Sequence, residues 1–174
     1  MPVFLPPSVS LKKELLLYRR EVLRADGDFD GTAGLGNFSD ISGWLELLHS
    51  MEPGRAEAYG YYPTLVYLAL EEGVPVGIFN VRLSDDELIR SGAGHIGYHV
   101  RPSQRNRGFA KLMLTEAVRI CRMHGIAEPV VCTDPGNAAS KRVALSSGFH
   151  YTGDAVTKSG IAVSRFVLRD DITE

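Results

Sequence analysis

Apolar residues return every third or fourth position along the stretch after Gly108. Ala110, Met113, Leu114, Ala117, Val118 and Cys121 share one side of a helical wheel, and Lys111, Thr115, Arg119 and Arg122 occupy the other. That period predicts an amphipathic helix over 108–124, with Gly125 placed to end it. Two earlier stretches carry the same period. Leu11, Leu15, Tyr18 and Val22 predict a helix from a Ser8 or Ser10 cap to about Arg24; Ile41, Trp44, Leu45 and Leu48 predict a shorter one from Ser39 or Asp40 to about Met51. Elsewhere the pattern is that of strands. Residues 64–70 and 76–83 read as a pair joined through Glu71-Glu72-Gly73, 94–100 as a third strand, and 149–155 with 161–168 as a closing hairpin through Lys158-Ser159-Gly160. Val130-Val131-Cys132 is short and apolar, and a helix separates it from the preceding strand, so it is expected to pair in parallel and to be buried on both faces. A last helix is expected between Asn137 and Ser147, while 84–91 reads as a polar excursion with a helical turn.

This order predicts one α/β domain over 1–174, a mixed twisted sheet flanked by helices on both faces, with no repeat, linker or low-complexity block. At 174 residues the chain is long enough to bury a core without staples. A net charge of -2 gives no general case for nucleic acid or an acidic membrane, so any basic site has to be local. Cys121 and Cys132 lack a pairing motif, which fits a reducing compartment. The first residues do not read as a leader, and no apolar run is long enough to span a bilayer. A soluble, cytoplasmic protein without nucleic-acid or membrane partners is therefore expected; pairing with a second copy stays open.

The candidate chemistry lies at the hinge before the long helix, His99-Val100-Arg101-Pro102-Ser103-Gln104-Arg105-Asn106-Arg107-Gly108-Phe109-Ala110. Arg105 and Arg107 supply charge, and Gly108 and Ala110 leave the helix N-terminus open, so main-chain N–H groups and the helix dipole can face an anion. Neither the nucleotide P-loop string nor G-x-G-x-x-G occurs in the chain. The string that does fit is Arg-x-x-Gly-x-Ala, Arg105 to Ala110. It resembles the coenzyme A pyrophosphate loop of the GNAT acyltransferase superfamily, [Arg/Gln]-x-x-Gly-x-[Gly/Ala]. Downstream, Asn137 and the later Gly148-Phe149 are similar to the GNAT segment in which an Asn follows the fifth strand and Gly-Phe closes the next helix. The resemblance covers about 73–149, the expected acetyl-CoA core, and fades toward 1–62, the expected acceptor side.

What the resemblance implies is direct transfer of an acetyl group from acetyl-CoA to an amine of a small molecule or peptide, in a ternary complex. The main chain near Tyr98 and Val100 would bond the pantetheine arm like an added strand. Main-chain groups of Arg105, Asn106, Arg107, Gly108, Phe109 and Ala110 would hold the pyrophosphate, with Arg107 partly neutralising it. Asn137 would reach the cofactor from the other side, with Ser140 beside it. The usual thiolate-protonating Tyr, seven residues after the Asn, is replaced by Ala144, and the Glu often found on the strand before the loop has no counterpart. A CoA-binding or sensory module without catalysis is the rival reading.

The strand at 94–100 offers His95, Tyr98 and His99 instead. Alternation puts His95 and His99 on one face and Tyr98 on the other. An imidazole with a reference pKa of about 6.5 suits proton transfer at neutral pH, so His95 is the expected base and Tyr98 the expected thiolate donor or pocket residue. The two histidines, about 13 Å apart along a strand, cannot share one zinc ion. Asp26, Asp28, Asp30 and Gly31 match the start of an EF-hand calcium loop, but Asn37 stands where the bidentate Glu belongs, so no metal is expected and the segment reads as a flexible polar loop.

Overall fold

The computed structural model describes residues 1–169. Seven strands form one sheet in the order β1-β2-β3-β4-β5-β7-β6: β1 (Val3–Leu5), β2 (Thr64–Glu71), β3 (Val74–Arg82), β4 (Ile96–Val100), β5 (Val130–Thr133), β6 (His150–Val156) and β7 (Ala162–Val167). Among the described residues four α-helices accompany them: α1 (Lys12–Ala25), α2 (Ile41–Ser50), α3 (Phe109–Met123) and α4 (Ala138–Ser146). The β2–β3 hairpin closes on Glu72 and Gly73 at φ 50° and 79°, the doubly left-handed turn whose twist matches that of the strands. Because α3 carries the chain back between β4 and β5, those two strands pair in parallel, and every other neighbouring pair is antiparallel.

The sheet buries both faces. Phe79, Met113, Leu114, Ala117, Ala144 and Phe166 belong to the core under α3 and α4. Leu15, Tyr18, Val22, Trp44, Leu68 and Ile78 belong to the core under α1 and α2. The predicted stripe of α1 is buried at Leu15, Tyr18 and Val22. Its start differs, because a 3-10 turn over Val9–Leu11 precedes it. Ser8 and Ser10 bond each other through their hydroxyls at 2.7 Å, so neither side chain caps the helix. Strand β1 lies in a segment given no element in the sequence reading; three residues between prolines leave no period, and only pairing with β2 defines them. The polar excursion contains a single π turn over Ile89–Ala93. Both cysteines are free thiols. Among the described residues no helix is long and apolar enough to cross a membrane.

Two contacts fix the loops around β4. Glu21 on α1 accepts from Arg101 Nε at 2.6 Å and from the Ser103 amide at 2.7 Å, tying the β4–α3 hinge to the helix beneath it. In the α1–α2 loop Gly31, at φ +81°, lies so close to β4 that a Cβ would stand 2.3 Å from the Tyr98 carbonyl oxygen.

Candidate active site

Strands β4 and β5 share one register pair, Ile96 with Val131, and then diverge. The β4 chain turns through Pro102–Gln104 into α3, and β5 turns through Asp134-Pro135-Gly136 into α4. Between them opens a cleft of about 1260 Å³, walled by β4 at Gly97, Tyr98 and Val100, by the start of α3, and by the start of α4. The β4 edge that faces the gap is free to accept an added extended segment.

At the hinge Asn106 and Gly108 adopt left-handed conformations, φ 63° and 83°. Among the described residues the amides of Asn106, Arg107, Gly108, Phe109 and Ala110 donate to no carbonyl or side chain; the first to turn inward are those of Lys111 and Leu112, on Gly108 O at 3.1 and 3.2 Å. A Cβ on Gly108 would meet nothing within 4 Å. Unspent amides at a helix N-terminus, with open space above them, make an anion cradle. Phe109 is buried in the core and anchors it. The two arginines divide. Arg105 lines the cleft and pairs with Asp26 at 2.6 Å. Arg107 instead reaches Glu71 at 2.9 Å and Gln104, with its guanidinium over the Phe109 ring, and does not line the cleft.

On the opposite wall Asn137 caps α4, its Oδ1 accepting the Ser140 amide at 2.9 Å, and its side-chain nitrogen bonds nothing among the described residues. The Tyr98 hydroxyl lies 2.8 Å from Ser140 Oγ. Burial pushes the Tyr98 phenol up, against the bond to Ser140, so it keeps its proton at neutral pH. Ala144 is fully buried in the core and off the cleft lining.

His95 is not placed as expected. Its side chain is fully buried and outside the cleft lining. Nδ1 accepts the Val130 amide at 3.0 Å, which assigns the proton to Nε2, and Nε2 donates to Asp85 at 3.1 Å. With both nitrogens engaged it is a strut between β4 and β5. The histidine on the cleft lining is His99, which the sequence reading gave no catalytic part; its Nδ1 lies 2.6 Å from Tyr18 Oη. Asp28 and Asp30 also line it, in a loop of Asx turns: Asp26 Oδ1 accepts the Asp28 amide at 3.2 Å, and Asp28 Oδ1 accepts the Asp30 amide at 2.9 Å. Three alternating carboxylates beside two glycines are the sequence signal for this wall. Cys132 lines the cleft, but burial pushes its thiol up to about 11, so it stays protonated. Tyr59, Tyr61, Tyr62 and Tyr151 lie outside the lining.

Residues 37–149 match the sequence model of the Acetyltransferase (GNAT) family. No curated protein matches the chain. Several solved structures share its fold. Mycobacterium smegmatis RimJ in complex with CoA-disulfide is 17% identical, with a TM-score of 0.72, covering 98% of this chain and 83% of that one. The microcin self-immunity acetyltransferase MccE in complex with acetyl-CoA and AMP is 16% identical, with a TM-score of 0.71, covering 97% and 92%. The ribosomal-protein-alanine N-acetyltransferase from Brucella melitensis is 18% identical, with a TM-score of 0.62, covering 97% and 99%.

Proposed function

Since the chain belongs to the GNAT family of acetyltransferases, we propose that it moves the acetyl group of acetyl-CoA directly to an amine held with it in the cleft. The observation that carries this reading is the run of five amides, Asn106 to Ala110, left without acceptors around the open space above Gly108. A diphosphate fits such a run because it offers oxygens to several donors at once. Arg105 adds charge from the cleft wall, Asn137 offers its amide nitrogen from α4, and the β4 main chain at Tyr98 and Val100 takes the extended pantetheine arm.

The donor supplies an activated acyl group: a C–N bond forms as the C–S bond breaks, the amine loses a proton and the departing sulfur gains one. The chain's own part is positional and acid–base. Divergence of β4 from β5 leaves one channel along which donor and acceptor meet, which removes the entropic cost of a free encounter. Tyr98, protonated and hydrogen-bonded to Ser140, is the proton donor to sulfur in place of a tyrosine at Ala144. His95 has no free nitrogen for the amine proton and serves the fold.

The test pairs calorimetric titration of CoA with release of free thiol from acetyl-CoA across a panel of amines. Binding with turnover of at least one amine is the expected result. Binding without any turnover supports the non-catalytic CoA module, and absence of binding removes the cofactor assignment.

A further inference from the structure

Arg82 ends β3 at the far end of the cleft from the amide cradle. Its amide donates to the His95 carbonyl at 2.8 Å, so it stands level with His95, about 17 Å of extended strand before Val100. Around it the lining is uncharged: Ala93, Ile96, Cys132, Ile161 and Val163. The guanidinium is held on one side only. Nη1 donates to the carbonyls of Ala93 and Gly94 at 3.2 and 3.1 Å, which uses its protons and fixes the plane. Among the described residues Nε and Nη2 bond nothing, and neither belongs to the unpartnered polar atoms sealed from solvent, so both face open space. Nε–H and the Nη2–H beside it form the edge of the planar fork that meets both oxygens of a carboxylate at once.

The charge of this group has no counterpart. Around the hinge Arg101, Arg105 and Arg107 each hold a carboxylate, those of Glu21, Asp26 and Glu71. Among the described residues Arg82 holds none. Lys111 and Arg142 on the same lining are exposed and hydrated, whereas Arg82 is partly buried. Desolvation pulls its pKa down, and the one ionisable group that acts against this is Cys132, whose thiol is neutral at physiological pH. Asp28, Asp30 and Asp134, farther along the cleft, do not act on it. Arginine keeps its charge even so. A partly buried cation without an anion, with a free bidentate edge in a cleft, calls for a ligand that brings a carboxylate.

Resting on the transfer reading above, which runs the pantetheine arm from the cradle along Val100 and Tyr98, we infer that Arg82 is a carboxylate-binding site beyond the thioester, and that one of the two reacting molecules brings the carboxylate to it. The amine bears it, as an amino acid does, or the acyl chain ends in it, as a succinyl group does. Either source lays two oxygens on the Nε–Nη2 edge, and both share one requirement, Arg82.

The experiment has two arms, each run on the wild type, Arg82→Gln and Arg82→Lys, with thermal denaturation to confirm that the variants are folded. In the first, kcat/KM with acetyl-CoA is compared for alanine, methionine and phenylalanine, each beside its carboxamide. In the second, calorimetry compares Kd for succinyl-CoA with that for butyryl-CoA, whose acyl chain has the same length and no charge. The carboxylate should be favoured about tenfold or more in one arm, which identifies its source. That preference should fall to within about twofold in Arg82→Gln and return in part in Arg82→Lys, which restores the charge without the planar edge. Each ratio is taken within one variant, so a general loss of stability cancels. A preference within about twofold in both arms, or one that survives in Arg82→Gln, overturns the inference. Should no amine be acetylated, the transfer reading fails alone; the amino acids and their amides are then compared by calorimetry on the same three proteins with CoA present, and the same limits decide the site.

Discussion

The hydroxyl of Tyr98, on the middle strand of the sheet, stands 2.8 Å from Oγ of Ser140 and 3.3 Å from its carbonyl oxygen, on the first turn of the helix across the cleft. One pair thus latches the two walls and presents a phenol proton between them. Tyr98→Phe removes the proton and keeps the ring. If the phenol protonates the departing sulfur, kcat falls by about tenfold to a hundredfold while KM for acetyl-CoA stays within about twofold. A purely structural latch gives the other split, a lowered unfolding midpoint with kcat unchanged. Because burial raises the Tyr98 phenol, its deprotonation should shape only the far alkaline limb of the rate profile.

Gly31→Ala tests how the acceptor loop is held. The added methyl would stand 2.3 Å from a main-chain oxygen of Tyr98, and the residue already sits at φ +81°. Neither backbone can give way without breaking the strand or the loop, so a loss of roughly 2–4 kcal/mol in urea unfolding is expected. An unchanged midpoint would mean that the loop does not rest on the strand.

The elements with a long period were legible in the sequence. Met113, Leu114, Ala117 and Cys121, and Leu15, Tyr18 and Val22, lie buried on the stripes their spacing predicts, because tertiary packing asks of those helices what amphipathicity already offers. The parallel placement of Val130-Val131-Cys132 followed from chain reach alone. The strand over Val3–Leu5 was not legible, since its existence depends on the edge of β2 and not on any pattern of its own. At the site, the open turn over 105–110, with its unspent amides, could be read because it is built from main chain and local glycine. The histidines could not be sorted: simple alternation gives His95 and His99 one face, and only Val130 and Asp85 beside one, and Tyr18 beside the other, separate a strut from a residue of the cleft lining.

His95 and His99 together set how stability responds to acid. Both imidazoles are held below the ordinary histidine value, chiefly by burial, so the folded state prefers them neutral and the unfolded chain takes up protons first. Their contribution is complete above an unfolded pKa of about 6.5 and is lost as pH falls below it. The midpoint of thermal unfolding should therefore drop between about pH 6.5 and pH 5, before most carboxylates titrate. His95→Gln should cost about 1–3 kcal/mol at pH 7 through the bonds it breaks, and its gap to the wild type should narrow at pH 5. Its rate profile with a good acceptor should keep its acidic limb; a limb that flattens would restore His95 as the base.

Gly108 separates the anion cradle from a plain strand-to-helix turn. Its left-handed conformation, φ +83°, strains any side chain by about 1–2 kcal/mol, so a substitution there changes two things at once. Gly108→Ala carries that strain alone: its Cβ enters open space, and CoA affinity should stay within about threefold. Gly108→Glu carries the same strain and adds a carboxylate beside the five free amides, where it both competes for the donors and repels the diphosphate. CoA affinity should fall by about a hundredfold or more, with an unfolding midpoint close to that of the alanine variant. Wild-type affinity in both variants would place the diphosphate away from this helix, whereas equal loss in both would make the turn's conformation, and not its charge, the requirement for binding.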